Sequence, residues 1–254
     1  PNVDACESAK ADTLQGNTLF PQALAHACAA LDIPWGHVSS GCIFAGCQVE
    51  TENGWVIEKD MTKPGIQALA KESPEKLRGF DETMTPNFSF RDQPCSFYSG
   101  TKALGEEAIR GIGSSYIWRL RIPFDEFDNH RNYLSKIQRY AKVYNNLNSL
   151  SHRADYVNAC LDTWFQKAPF GTYNVTNPGH VTTHEVVDLI LKSGVCPKNY
   201  VFFKDESDFM HTAAKTPRSN CVMTSAKLAS VGIVMTEVHE AVARDLARWK
   251  KAAA

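Results

Sequence analysis

The 254-residue chain has no run of about 18 apolar residues and no signal-peptide pattern. Neither a membrane span nor an exported precursor is expected. No charge of one sign predominates: 27 Lys and Arg stand against 28 Asp and Glu, a formal −1, and they are scattered. That balance excludes a basic field for nucleic acid. The eight cysteines form no Cys-x-x-Cys pair, so they read as reduced thiols of a cytoplasmic protein, neither a zinc site nor a disulfide framework. Also missing is any Gly-x-x-Gly-x-x-Gly or Gly-x-Gly-x-x-Gly loop, the backbone cradle on which a dinucleotide pyrophosphate rests.

What is present is a hydrophobic content of 43%, enough for one large domain or a domain with an appended lobe. Residues 4 to 31 carry apolar or small positions at helical spacing and predict a long amphipathic helix. A short buried strand follows over 33 to 44, turning at Ser39-Ser40-Gly41. From 47 to 94 the pattern breaks at Pro64, Pro74, Pro86 and Pro94, marking a long, partly helical excursion. A helix over 96 to 110 stops at Gly111 and Gly113, and a strand over 116 to 122 stops at Pro123. Helices are predicted over 132 to 143, 155 to 167 and 238 to 250, with strands over 171 to 175 and 200 to 203. Thr182-x-x-Glu185 is a capping box opening a further helix to Lys192. Alternating helices and buried strands argue for an α/β fold with a parallel sheet. Such sheets bind ligands at the carboxyl ends of their strands, here the turn after Ser39 and the segment after Ile122.

Tyr98 and Lys102 lie four residues apart on a predicted helix, hence on one face. A neighbouring cation stabilises a phenolate, so the pair is expected to lower the Tyr98 pKa and make a proton donor for a carbonyl under reduction. The spacing alone is common. Tyr200 and Lys204 share it within a predicted strand, where the side chains would lie apart. His180 and His184 have metal-ligand spacing but straddle a loop and a helix start without a third ligand, so no metal is expected.

Context adds specificity. The ordered segments Pro1–Glu7, Ser40-Gly41-Cys42-Ile43-Phe44, Thr85-Pro86-Asn87-Phe88, Ser96–Lys102, Arg119-Leu120-Arg121-Ile122-Pro123, Tyr173–Gly179 and Pro217-Arg218-Ser219-Asn220 resemble the extended short-chain dehydrogenase/reductase family. Within it the likeness is to reductases and epimerase/reductases that make nucleotide-activated rhamnose. The resemblance implies a Rossmann-like doubly wound parallel sheet with a smaller C-terminal substrate-binding lobe. Residues 1–126 would form a partial dinucleotide-binding domain carrying the insertion. Residues 127–254 would be mainly the lobe, with 143–176 returning to the sheet.

It also implies roles. Ser40 would bind the substrate carbonyl, Tyr98 would supply the proton, and Lys102 would hold the nicotinamide ribose. Asn17 would be the family's helix asparagine, or else a polar residue on a solvated turn. Ser39, Ile122 and Pro123 would line the cofactor, and Asn87, Arg131 and Asn132 the substrate. Arg218 would meet a diphosphate through its planar guanidinium, or serve as a surface ion-pair partner. Cys42, two residues past the active Ser, resembles the base of epimerising members, against a small buried hydrophobe. Lys136, within Arg131-Asn132-Tyr133-Leu134-Ser135-Lys136, would be the acid across the sugar and would favour the thiolate, with His130 as second choice.

Family members carry about two further βα units before the segment matching Pro1–Glu7, roughly 60 to 75 residues on usual element lengths. The residue that separates NAD from NADP lies in that part, so the cofactor is NADP or NAD, with NADPH favoured. The insertion after Cys47 is expected to cover the substrate or mediate an oligomer contact. The leading reading is reduction of a nucleotide-linked 4-keto-6-deoxy sugar coupled to C3/C5 epimerisation, in a cytoplasmic enzyme that binds no nucleic acid or membrane and forms a homodimer. The alternatives are a simple 4-keto reductase, an epimerase or dehydratase of another sugar nucleotide, and a non-catalytic regulatory protein on the same fold.

Overall fold

The computed structural model describes residues 3–251. At its centre three parallel strands lie in the order Trp35–Ser40, Ser115–Leu120, Gly171–Asn174. The middle strand alternates its faces, as a two-residue period requires. Ile117 packs with Trp35, Ala25 and Ile109 beneath the helices Phe20–Ala30 and Phe97–Ile109. Tyr116, Trp118 and Leu120 pack on the other face with Tyr156 and Cys160 of the Arg153–Phe165 helix. Polar tips on that face are satisfied locally: the Tyr116 hydroxyl donates to the carbonyls of Thr163 and Ala168 at 3.0 and 2.6 Å. Helices therefore cover both faces, the expected doubly wound arrangement.

The register places Ser39, Arg119 and Asn174 side by side across the three strands. All three are buried, and Glu106 of the Phe97–Ile109 helix descends onto the row. Its carboxylate takes Arg119 Nη2 at 2.7 Å and Nε at 3.0 Å, and the Ser39 hydroxyl at 2.5 Å. Arg119 Nη1 reaches Asn174 Oδ1 at 3.4 Å, and the Phe44 ring lies 5.1 Å from the guanidinium. With exposures of 0% for Arg119 and 1% for Glu106, this is a fully desolvated pair. Its bidentate geometry and extra hydrogen bonds offset the cost of dehydration.

The long helix predicted over 4 to 31 divides into Val3–Ser8, Lys10–Leu14, a π turn at Gln15–Leu19, and Phe20–Ala30. The cause is a close approach: a Cβ on Gly105 would stand 2.2 Å from the Asn17 carbonyl oxygen. The widened π turn carries that carbonyl against the glycine, and π turns inside helices concentrate at functional sites. The 47–94 excursion is more ordered than predicted. It holds an antiparallel hairpin of Cys47–Thr51 and Gly54–Glu58, the helix Pro64–Glu72, and Leu77–Arg78 on the hairpin's other edge. Val49, Met61, Ile66 and Leu77 share a core with Leu147 and Val222, so the insertion is fastened to the C-terminal half.

That half gathers the helices Tyr133–Arg139, Thr183–Ser193 and Val238–Ala247 around Leu134, Val186, Ile190 and Val242. The Thr182/Glu185 capping box is present. The helix predicted to Val143 ends at Arg139, and Lys142–Val143 pairs instead with Val201–Phe202. His152 caps Arg153–Phe165 by accepting from Asp155 N at 3.3 Å, and its Nε2 faces Asp245 at 3.2 Å.

Replacing Glu106 by Gln leaves a buried guanidinium uncompensated and should cost about 3–5 kcal/mol, read as a fall in Tm of at least roughly 6 °C. Its neighbour Glu107 pairs with Arg91 at the surface, so Glu107→Gln should cost less than about 1 kcal/mol. Equal losses in thermal denaturation would contradict this account of the core.

Candidate active site

Two strand ends and one helix build the site. The Trp35–Ser40 strand ends at Ser40, whose extended backbone and hydroxyl cap the turn Gly41–Ile43 by accepting from Cys42 N at 3.1 Å. Between Ser40 and Cys42 the chain runs close to Met223: a Cβ on Gly41 would lie 2.2 Å from its sulfur and would force that side chain to move. Ser96, itself buried, caps the Phe97–Ile109 helix by accepting from Ser99 N at 3.1 Å, which sets Tyr98 in the first turn. The Ser115–Leu120 strand delivers Arg121 one residue past its end. There Ile122 takes a φ of 36°, a left-handed conformation that costs a β-branched residue energy and is held only where packing dictates it.

Ser40, Cys42, Tyr98 and Arg121 converge. The Tyr98 phenol is hydrogen-bonded to Ser40 and has Cys42, Cys6 and Arg121 as charge-sensitive neighbours. Arg121 Nη1 donates to Cys42 Sγ at 3.0 Å. Lys102 lies one turn along the helix from Tyr98, and its ammonium donates to the Val38 carbonyl at 3.3 Å. Burial lowers the Lys102 pKa, while Glu106 and Cys42 pull it back up. The expected lowering of Tyr98 is corrected here. Burial dominates and pushes the phenol up, Cys42 adds to the rise, and the cation pulling it down is Arg121 rather than Lys102. Tyr98 is therefore a phenol in this structure, a proton donor by protonation state.

The other predicted residues divide into those with free polar atoms and those without. Ser39 is committed to Glu106. Asn87 spends both ends of its amide on the Ala45 backbone, at 2.8 and 2.9 Å. Asn132 caps Tyr133–Arg139 and donates to Asp125 and Phe127. Asn17 donates to Thr101 Oγ1 at 3.1 Å, tying the π turn to the tyrosine helix. Pro123 pairs beside Ser151, and Arg131 and His130 are exposed. Lys136 is half-buried with its pKa lowered by desolvation, and it makes no hydrogen bond to Cys42, Ser40 or Tyr98. Tyr133, on the same helix, has Arg121 among the charges its phenol senses. Arg218 pairs with Asp4 at 2.5 Å through Nη2 and keeps a buried Nη1 without a partner.

Arg121 was not singled out from the sequence. The available signal was a charged residue at the carboxyl end of a buried parallel strand. The residues fit the nicotinamide–ribose end of a dinucleotide, where Lys102 stands at the Val38 carbonyl beside Tyr98. No segment of the sequence supplies a Gly-rich pyrophosphate loop.

No protein-family model matches the chain. Sequence relatives do. A trifunctional UDP-glucose 4,6-dehydratase/UDP-4-keto-6-deoxy-D-glucose 3,5-epimerase/UDP-4-keto-L-rhamnose-reductase of Arabidopsis thaliana is 32% identical over 232 residues, 90% of this chain and 30% of that protein. A bifunctional dTDP-4-dehydrorhamnose 3,5-epimerase/dTDP-4-dehydrorhamnose reductase of the same plant is 31% identical over 190 residues, 74% of this chain and 54% of that protein. Among solved structures, a UDP-rhamnose synthase of Acanthamoeba polyphaga mimivirus aligns with a TM-score of 0.73 at 23% identity. The alignment covers 91% of this chain and 70% of that one. The dTDP-4-dehydrorhamnose reductase of Bacillus anthracis in complex with NADP has a TM-score of 0.68 at 18% identity, over 95% and 75%. At those identities the structures speak for the fold.

The sequence relatives and the structural neighbours of the chain fall in one NAD-dependent epimerase/reductase superfamily. Within it, the chain is similar to the rhamnose-forming epimerase/reductases and spans less than two thirds of those curated relatives' own lengths.

The raised Tyr98 pKa has a spectroscopic consequence. In alkaline titration, tyrosinate absorbance assignable to Tyr98 by difference from Tyr98→Phe should be absent below about pH 11, above the ordinary value of about 10. A Tyr98 transition at pH 8 to 9 would show that the cations win over burial.

Proposed function

We propose that this chain acts in the NAD(P)H-dependent reduction of a nucleotide-linked 4-keto-6-deoxy sugar and in its epimerisation at C3 and C5. The observation carrying this reading is the convergence of Ser40, Tyr98 and Cys42, with Lys102 one turn from Tyr98. The plant epimerase/reductases that resemble it support the substrate class. Retention of a proton donor and a thiol in one cleft favours an enzyme over a purely regulatory protein.

In this reading Ser40 and Tyr98 hydrogen-bond the C4 oxygen and stabilise the negative charge that develops on it. When bound, the nicotinamide supplies hydride to C4. Tyr98 gives its proton to the C4 oxygen, and the double bond becomes a secondary alcohol. Before reduction, Cys42 takes a proton from the carbon beside the carbonyl. The C–H pair moves into an enolate whose oxygen Ser40 and Tyr98 hold, and return of a proton on the opposite face inverts the centre. Lys136 is the proposed acid, on the helix whose Tyr133 senses Arg121. The unpartnered Nη1 of Arg218 supports the diphosphate contact.

The cofactor is proposed as NADP or NAD, since similar folds hold NADP or NAD, with NADPH favoured. Residues 1–126 would carry it and 127–254 the sugar. A cytoplasmic location is proposed on the eight free cysteines. No helix of the described residues is long and apolar enough to cross a membrane. A homodimer is supported by the apolar surface of Leu19, Phe20, Leu24 and Leu31, the last 70% exposed.

Kinetics on the two configurations of the ketone test the reading. Tyr98→Phe should lower turnover at least about a hundredfold on either. Cys42→Ser should abolish turnover of the D-configured 4-keto sugar yet reduce the L-configured one at a near-normal rate. Near-normal turnover by Tyr98→Phe sinks the reductase. Equal rates of Cys42→Ser on both ketones favour a simple 4-keto reductase, with Cys42 as packing.

A further inference from the structure

Arg121 is 2% exposed, and among the described residues no carboxylate forms an ion pair with it. A guanidinium buried without a counter-charge is expensive. Its hydrogen bonds to Asn148 Oδ1 at 2.5 Å and the Ser219 carbonyl at 2.6 Å are both made by Nη2. They orient the fork but bring no full negative charge. The remaining nitrogens are Nε, which is without a partner, and Nη1, which donates to Cys42 Sγ at 3.0 Å. That distance is short for a sulfur acceptor. The backbone is fixed as firmly: Arg121 N donates to Ser151 Oγ at 3.0 Å, and the left-handed Ile122 follows.

We propose that Arg121 is the counter-ion of Cys42, a positioning residue that holds the Cys42 sulfur as a thiolate beside Tyr98. The inference deepens the epimerase part of the proposed function and rests on it only for the use made of the thiolate. Four charged or titratable groups bear on Cys42. Arg121 and Lys102 favour the anion, whereas Tyr98 and Cys221, if ionised, oppose it. Cys221 and Tyr98 are both pushed up by burial and stay protonated. Two cations thus face the Cys42 sulfur. Arg121 is in contact, whereas Lys102 is held by the Val38 carbonyl. Proton abstraction then requires no prior deprotonation. The thiolate forms S–H as the sugar C–H breaks, and the pair passes to the carbonyl oxygen. In this reading Arg121, one residue past the end of a central strand, activates the Cys42 base, a task the family resemblance implies for Lys136.

Alkylation of Cys42 by iodoacetamide tests this without any sugar or cofactor, because only the thiolate reacts. The Cys42 peptide is followed by mass spectrometry across pH 5 to 10 in the 254-residue chain. In wild type the reaction should be half-maximal at least about one pH unit below the ordinary cysteine value of about 8.5. Arg121→Gln should move that midpoint up by about one unit or more and slow alkylation at pH 7 about tenfold. Arg121→Lys should recover most of the loss, because it restores the charge. Asn148→Ala, which frees the fork and also removes the side-chain bonds to Cys221 N and Asn220 Oδ1 while leaving the Arg121 charge in place, should give a smaller upward shift. A wild-type midpoint at or above 8.5 overturns the proposal whether or not any variant folds. So does a folded Arg121→Gln with the wild-type midpoint. If the midpoint is low and depends on Arg121 but the enzyme fails to epimerise, the ion pair stands and the epimerase reading alone falls.

Discussion

The Glu106 carboxylate, buried beneath the sheet, is bonded at once to Ser39 and Arg119, and through Arg119 to Asn174. These three residues come from three parallel strands at one level, and Glu106 from the helix that begins with Tyr98. One desolvated ion pair therefore fixes the depth and rotation of the tyrosine helix against every strand of the central sheet. A slip of one residue in any strand would take a partner off the row and strand a charge in the core, a loss of several kcal/mol. The interaction specifies register more than it adds net stability.

The geometry of the cleft follows from that register. With Ser39 pinned, Ser40 is the next residue and the last of its strand. With Arg119 pinned, Arg121 emerges two residues later, beyond the strand end and next to the turn that carries Cys42. With Glu106 pinned, Lys102 and Tyr98 fall one and two turns towards the helix N-terminus, on the same side. The left-handed Ile122 follows Arg121, and the close Asn17–Gly105 contact sits on the tyrosine helix; both are strained or crowded positions. Such features persist where the surrounding packing over-determines them.

Much of this was legible in the sequence, and the limits have physical causes. The tyrosine helix, the flanking strands and the Thr182 capping box announce themselves through periodicity and local hydrogen-bonding chemistry. Glu106 and Glu107 are adjacent and identical, yet one is buried and the other pairs at the surface. Nothing local distinguishes them, because the distinction is made by a strand thirteen residues away. Arg121 was hidden for the same reason: its partner Cys42 lies 79 positions away, and an arginine in a sequence looks like a surface residue. Asn87 and Asn132 carry resemblance to substrate-binding positions, but their amides are used on nearby backbone, which only coordinates reveal. The direction of the Tyr98 shift is not legible in the sequence, because a cation four residues along is visible there while burial is not.

If one buried frame brings a carbonyl-binding pair and a thiol to the same ketone, a single chain should both exchange and reduce it. The most direct measurement is NMR of a nucleotide-linked 4-keto-6-deoxy-glucose turned over in D2O by the protein with reduced nicotinamide cofactor. The account predicts a reduced product carrying deuterium at both C3 and C5, with inverted configuration at each. A product reduced at C4 with protium retained at both carbons would contradict it.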